Sequence, residues 1–483
     1  MFNLRDVFFA FITIAILVLV GRYIKQKSPW IQRLYLPESI VAGVLALLLG
    51  PQVLGAIVSA LAGPDAPLAQ GTFPEAMRTV WSQSPSIFIN IVFAALFLGE
   101  TIPGPREIWR KAAPQVVFGQ TLAWGQYVIG ILATLLILIP LFGANPIASC
   151  LIEIGFEGGH GTAGGMADTL RSLGFDDGPD LALGLATVGI VSGIVCGTAL
   201  ADWARRKGYI RSMPQTVEDP GEFPELTESE PEPPEFQRRR ARLMHNLLID
   251  PLSINFGLVG LAVAIGWLIL EGLKLLEAAT WGQTGFEIMS FVPLFPMALI
   301  GGIIVQLVLE RLRLHPLVIK PLMKSIAGVS LDVVVITALA SISLTVIGGN
   351  LGTFLTLSVL GILWNVLIFL WFAPRIFPDY WFEKGIGDMG QSMGVTATGI
   401  LLLRMVDPDN RSGAFESFAY KQLFFEPIVG GGLFTAAAPA LVNQFGLIPV
   451  LLLTGGLLLF WLVAGYLLIK QHRRQRRREI THV

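Results

Sequence analysis

Two stretches decide how this chain folds: residues 147–170, IASCLIEIGFEGGHGTAGGMADTL, and residues 382–403, FEKGIGDMGQSMGVTATGILLL. Each is too broken by glycine to form one straight membrane-crossing helix, and each is too apolar for an ordinary surface loop. Glycine lets the backbone take positive φ and approach a ligand closely, while the amino ends of short helical arms offer unpaired N–H groups and a positive dipole end. That combination favours an anionic group.

The surrounding sequence sets the solvent. Of 483 residues, 53% are apolar and 14% are charged, against about 25% charged in ordinary soluble domains. Such a chain is an integral membrane protein. The balance of 34 Lys and Arg against 35 Asp and Glu argues against a nucleic-acid partner. No phosphate-cradling GxxxxGK[ST] loop is present, so a gradient rather than ATP is the expected energy source. Cys150 and Cys196 sit in apolar contexts without metal-ligand spacing, and no transition-metal site or resident cofactor is expected.

Taking about 20 apolar residues as one crossing, the sequence predicts eleven helices. Five precede a hydrophilic interruption, at 7–24, 39–60, 84–102, 115–142 and 181–201. Six follow it, at 253–270, 288–309, 326–347, 351–373, 423–441 and 447–468. The first is read as a retained helix rather than a signal peptide, since Arg5 is cancelled by Asp6 and Arg22, Lys25 and Lys27 follow it. With the amino terminus outside, nearly all Lys and Arg fall on the inner side, Lys421 among them, and only Arg5, Arg78, Arg171 and Lys274 fall outside. The chain then divides into a first membrane repeat (1–202), a cytoplasmic acidic and Pro-rich linker (203–250), a second repeat (251–445), one extra helix (446–470) and a basic cytoplasmic tail (471–483).

Each glycine stretch follows four helices of its half and precedes the fifth. Overlaying them pairs Gly161 with Gly394, Leu170 with Leu403, Arg171 with Arg404 and Asp176 with Asp409, a constant step of 233 (394 minus 161). Because each half has an odd number of crossings, the second enters from the opposite face. The expected fold is therefore all-α and polytopic, two inverted repeats of about five helices each carrying a re-entrant hairpin, as in secondary transporters that hold substrate near the midplane.

Candidate substrate groups lie at the two tips: Gly159, His160, Gly161 and Thr162 in the first, and Gln391, Ser392, Gly394, Thr396 and Thr398 in the second. The hydroxyls and amides suit a carboxylate or a partly dehydrated Na⁺, and each could instead cap its arm. His160 is either a ligand or a hydrogen-bonded packing residue. An acid at a helix centre costs about 2.5–3.5 kcal/mol on insertion scales, so Asp332, Asp388 and Glu157 are candidate Na⁺ ligands, with Asn90 at a comparable depth in the first half. Glu100 and Glu153 lie near helix ends, where an interfacial position is the cheaper explanation, and Asp407 and Asp409 read as turn residues.

The two-halves plan, GGHGT at 158–162, GVSLD at 328–332 and GIGDMGQSMGVTATG at 385–399 together resemble the bacterial sodium/glutamate symporter family, over most of the chain. The resemblance implies Na⁺-coupled glutamate uptake by a homodimer in the cell membrane, a fixed scaffold part flanking a part that carries the site across like an elevator. It implies tip roles for Gly159, Gly161, Thr162, Gly394, Thr396 and Thr398. The long acidic linker and the basic tail depart from the shorter family pattern. Alternatives are a dicarboxylate or hydroxycarboxylate carrier of the same fold, a cation/proton exchanger titrating Asp332, or a channel. No nucleophile and base pair supports an enzyme.

Overall fold

The computed structural model describes residues 3–33, 36–211 and 250–481, and its described elements are all helical. In chain order the long helices are α1 (Leu4–Lys27), α2 (Glu38–Ala62), α3 (Glu75–Ala95), α4 (Arg106–Phe142), α5 (Gly178–Lys207), α6 (Pro251–Ala279), α7 (Leu294–Arg311), α8 (Lys320–Ser341), α9 (Leu351–Ile376), α10 (Ala414–Phe425), α11 (Leu433–Phe445) and α12 (Leu447–Thr481). Among the described residues, nine are long and apolar enough to cross a membrane, all but α3, α10 and α11. The protein is multi-pass. The acidic run 218–235 and Arg238, Arg239 and Arg240 lie outside the described residues.

Two of the eleven expected crossings are revised. The span at 84–102 is shifted: its helix, α3, starts at Glu75 and ends at Ala95, and its polar first half, EAMRTVWSQS, is what sets it apart from the nine more apolar helices. The span at 423–441 is not one helix. Its first part ends at Phe425 and the chain resumes helix only at Leu433. Pro427 cannot donate to the helical ladder, and the glycines that follow include Gly430 at φ +71° and Gly431 at φ +101°, which a helix excludes.

The first glycine stretch folds as short helical pieces, Pro146–Cys150, Glu153–Glu157, Gly159–Gly165 and Ala167–Ser172. It breaks at Gly159, φ +65°. Its ends come back together, since the Asn145 side-chain amide donates to the Gly174 carbonyl at 3.3 Å. The second stretch, Trp381–Val406, breaks at Gly394 and at Val395, φ +61°. There too the arms double back: a Cβ on Gly390 would stand 3.1 Å from the Gly399 Cα, and one on Gly387 would stand 2.7 Å from the Leu403 Cγ. Residues nine and sixteen apart in a straight helix are separated by roughly 13 and 24 Å.

Helix α5 measures how the two stretches face each other. Its 30 residues span about 45 Å. The base of the first stretch adjoins the start of α5, four residues beyond Gly174. The base of the second adjoins the far end, where Arg205 Nη2 donates to the Met405 carbonyl at 3.1 Å and the Arg211 N–H to Glu383 Oε1 at 2.7 Å. Both tips reach the middle of α5: Gly189 lies against Met393 and Phe156, and Gly394 against Ile190. Gly159 touches the Val395 side chain directly. The stretches thus approach from opposite ends of α5 and meet tip to tip. The backbone breaks fall at Gly159 in the first stretch and at Gly394 and Val395 in the second.

Two groups of helices form around this junction. α1, α2, α3, α6, α7 and α8 pack on one another, while α4, α5, α9 and α10 pack around the glycine stretches and α12 lies against α4 and α9. Where the groups meet, Ile40, Val335 and Leu339 of the first pack against Ile190 and Ile194 of the second. Small residues bring the backbones close, with Gly164 against Pro85 and Gly161 against Ile89.

Candidate ion and substrate site

Three interruptions of helix converge at the tips: the first tip (157–162), the second tip (391–398) and the unwound turn 426–432. Gly431 faces the Thr162 hydroxyl, and Gly430 faces both Glu426 and the Glu157 side chain. Residues 153–157 form a wide π turn, a distortion that often marks function in a helix.

Four buried carboxylates surround the junction. Glu153 accepts from Tyr127 Oη at 2.7 Å, the Gly430 N–H at 2.9 Å and Thr435 Oγ1 at 2.7 Å. The sequence-based interfacial placement of Glu153 is therefore corrected: it is fully buried and satisfied, because the turn at 426–432 supplies donors that no sequence window reveals. Glu100, by contrast, is half-exposed and pairs with Lys320 at 2.7 Å.

Glu426 Oε1 accepts from Thr396 Oγ1 at 3.0 Å, while Gln422 Nε2 donates to Thr396 Oγ1 at 2.8 Å. Gln391 Nε2 donates to Gln422 Oε1 at 3.1 Å. Asp388 is held on both sides, Oδ1 by Lys421 Nζ at 3.1 Å and Oδ2 by Gln115 Nε2 at 2.9 Å. The charge pattern places Lys421 with the cytoplasmic basic residues; it is 1% exposed instead, because Asp388 and Gln391 of the second stretch close over its ammonium. Glu157 stands apart from the other three: it is 2% exposed, neither carboxylate oxygen makes a hydrogen bond of good geometry, and the Ser392 hydroxyl lies beside it.

Several buried oxygens without a hydrogen-bond partner gather at the tips, while Asn90 Oδ1 on α3 and Ser341 Oγ on α8 lie in the flanking group. Besides both oxygens of Glu157, the gathered oxygens include Thr162 Oγ1, Ser392 Oγ and Gln126 Oε1, on the two tips and on α4. The second tip is fixed from behind, where Gln126 Nε2 and Asn365 Nδ2 both donate to the Ser392 carbonyl, at 2.6 and 3.1 Å. A cavity of about 370 Å³ adjoins the site, lined by Thr396, Gln422 and Glu426 and by Glu100, Lys320 and Lys324 of the flanking group. This lies in the range of small-molecule pockets.

Of the residues singled out from sequence, Gly159, Gly161, Thr162, Gln391, Ser392, Gly394, Thr396, Glu157 and Asp388 lie in or beside this junction. His160 turns away and pairs its Nε2 with Thr187 Oγ1 on α5 at 3.0 Å. Thr398 caps the break, donating to the Gly394 carbonyl at 2.5 Å. Asp332 is half-buried on α8 beside Ser39 and Glu38, and Asn90 on α3 donates to the carbonyls of Ser86 and Ile87 while its buried Oδ1 makes no hydrogen bond. Sequence reading missed Glu426, Gln422, Gln126, Asn365 and the buried Lys421. The signal available was a Lys and a Glu inside an otherwise apolar run, AYKQLFFEP, directly before GGG at 430–432.

Helices broken at membrane depth around buried oxygens define a class, the membrane carriers whose ions and substrates sit at interrupted helices. The chain belongs to the sodium/glutamate symporter family, whose model matches residues 112–401. It is accordingly a Na⁺-coupled membrane transporter and not an enzyme. No curated protein matches the chain.

Proposed function

We propose that this protein couples inward Na⁺ movement to uptake of glutamate. The observation that carries the reading is the buried, unpartnered carboxylate of Glu157 among unpartnered hydroxyl and amide oxygens. An ionised carboxylate without a partner at this depth is costly, and a hard cation that takes oxygen ligands relieves the cost. Glu157, Thr162 and Ser392 are assigned the principal Na⁺, and Gln126 Oε1 supplies a further oxygen. Asp332, in the other helix group, is assigned an accessory role with the smaller effect on replacement.

Charge explains the coupling. Glu153, Glu157, Asp388 and Glu426 meet the single ammonium of Lys421 at the junction, an excess of carboxylate that repels an anion until cations arrive. The half-loaded carrier then holds an uncompensated buried charge and moves poorly. Backbone N–H groups of the tips around Gly159 and Gly394 take the substrate carboxylates. The aliphatic contact of Ile190 and Ile194 with Ile40, Val335 and Leu339 offers a surface of low directionality, suited to a carrier group sliding on a scaffold in a homodimer. In this reading the two folded-back stretches are re-entrant from opposite leaflets, within inverted repeats.

Glutamate has a net charge of −1, so at least two Na⁺ per substrate make uptake electrogenic. Each net charge moved inward is worth about 2.3 kcal/mol per 100 mV. A labelled amino-acid and dicarboxylate panel in liposomes tests both points. Na⁺-driven glutamate accumulation that rises with inside-negative potential is expected; accumulation of a dicarboxylate alone, or indifference to potential, contradicts the assignment.

A further inference from the structure

Lys421 needs an explanation of its own. A buried lysine is rare, and this one lies outside the residues that the family model matches. Its ammonium sits 3.1 Å from Asp388 Oδ1 and 2.6 Å from Gln391 Oε1. The remaining face is covered by aromatic rings, with the nitrogen 4.1 Å from the Phe425 centroid and 4.9 Å from that of Phe418. Helix α4 makes room for the chain through Gly119, where a Cβ would stand 2.9 Å from Lys421 Cδ and 3.2 Å from Nζ. Oxygen from a carboxylate, oxygen from an amide and an electron-rich ring are what a monovalent cation takes.

We propose that Asp388 and Gln391 form a cation site in the second glycine stretch and that the ammonium of Lys421 is the tethered cation that fills it. Lys421 supplies permanently a charge that a free Na⁺ otherwise brings. Asp388 is then a partner of lysine and not a ligand of a transported ion in the intact protein. The fixed ammonium also offsets one of the four carboxylates, so one ion fewer is needed before an anion can bind. The inference deepens the Na⁺-coupled reading above and rests on it for its consequence in transport, although the site itself is tested by binding alone.

The experiment counts Na⁺ bound to the purified full-length protein with radioactive Na⁺, for the wild type, for Lys421→Met and for the pair Lys421→Met with Asp388→Asn. Lys421→Met vacates the position and leaves the carboxylate, so one additional Na⁺ per chain is expected. The double variant removes the carboxylate as well, so the wild-type count is expected to return. If the methionine variant does not survive purification, Lys421→Gln serves in its place, since its amide keeps a donor for Asp388 and an oxygen for a bound ion. An unchanged count in the lysine variant overturns the inference. A wild-type protein that binds no Na⁺ removes the coupled-uptake reading instead, and a first Na⁺ that appears only in the lysine variant still supports the site.

Discussion

Replacing Glu157 by Gln is expected to raise the Na⁺ concentration that half-activates uptake by at least about a hundredfold, with membrane insertion and yield kept. The substitution preserves shape while removing the charge whose two oxygens make no hydrogen bond of good geometry. Breaking a buried charge pair by removing one member costs about 3–5 kcal/mol, and about 2.7 kcal/mol already corresponds to a factor of a hundred. Here the missing member is the carboxylate and the stranded one is Na⁺, which can leave, so the loss falls on ion affinity and not on the fold. Glu153 provides the contrast, since its three donors already satisfy it. Na⁺ titration of initial uptake rates in proteoliposomes measures the shift. An unchanged half-activation would take Glu157 out of the ion site.

Gly159→Ala is the second large expected effect. The residue has φ +65°, and a methyl group there collides with Val395. The left-handed conformation costs a non-glycine residue roughly 1–2 kcal/mol, and the collision must also push the two tips apart. Transport is expected to fall at least tenfold and the thermal unfolding temperature to drop. Adding Val395→Ala relieves the collision but leaves the backbone strain, so part of the activity is expected to return. The two changes should be non-additive, because contacting residues commonly show coupling energies of about 0.5–3 kcal/mol. Uptake and thermal unfolding of the two single variants and the double variant provide the measurement. Strict additivity would mean that the tips do not bear on one another.

The membrane class, both glycine breaks and the nine helices that are long and apolar enough to cross among the described residues are legible in the sequence, because length, apolar mass and glycine spacing are local properties. Part of the candidate site is local in the same way, since Glu157, Thr162, Ser392 and Thr396, which gather at the junction, lie within the glycine stretches themselves. The third interruption, 426–432, was hidden inside a run whose flanks, LFF and LFTAAAPAL, look like one continuous helix. Burial was the other hidden quantity. Lys421 and Glu153 look like loop or boundary charges when only neighbours in sequence are weighed. Their partners come from elsewhere in the chain: Asp388 for the lysine, and Tyr127, Gly430 and Thr435 for the glutamate. The second half of the site is therefore a product of packing, in which α4 and α10 bring side chains to tips they do not belong to.

Coupled transport by this fold depends above all on the two glycine stretches entering from opposite faces and meeting at the middle of α5. The direct measurement places single cysteines at Asn145, beside the base of the first stretch, and at Asp409, beyond the base of the second, in a protein whose Cys150 and Cys196 are serine. Each is probed in intact cells with a membrane-impermeant thiol reagent, with and without permeabilisation. Labelling of position 145 from outside, and of position 409 only after permeabilisation, is the predicted result. Equal access to both positions from the same side would contradict it.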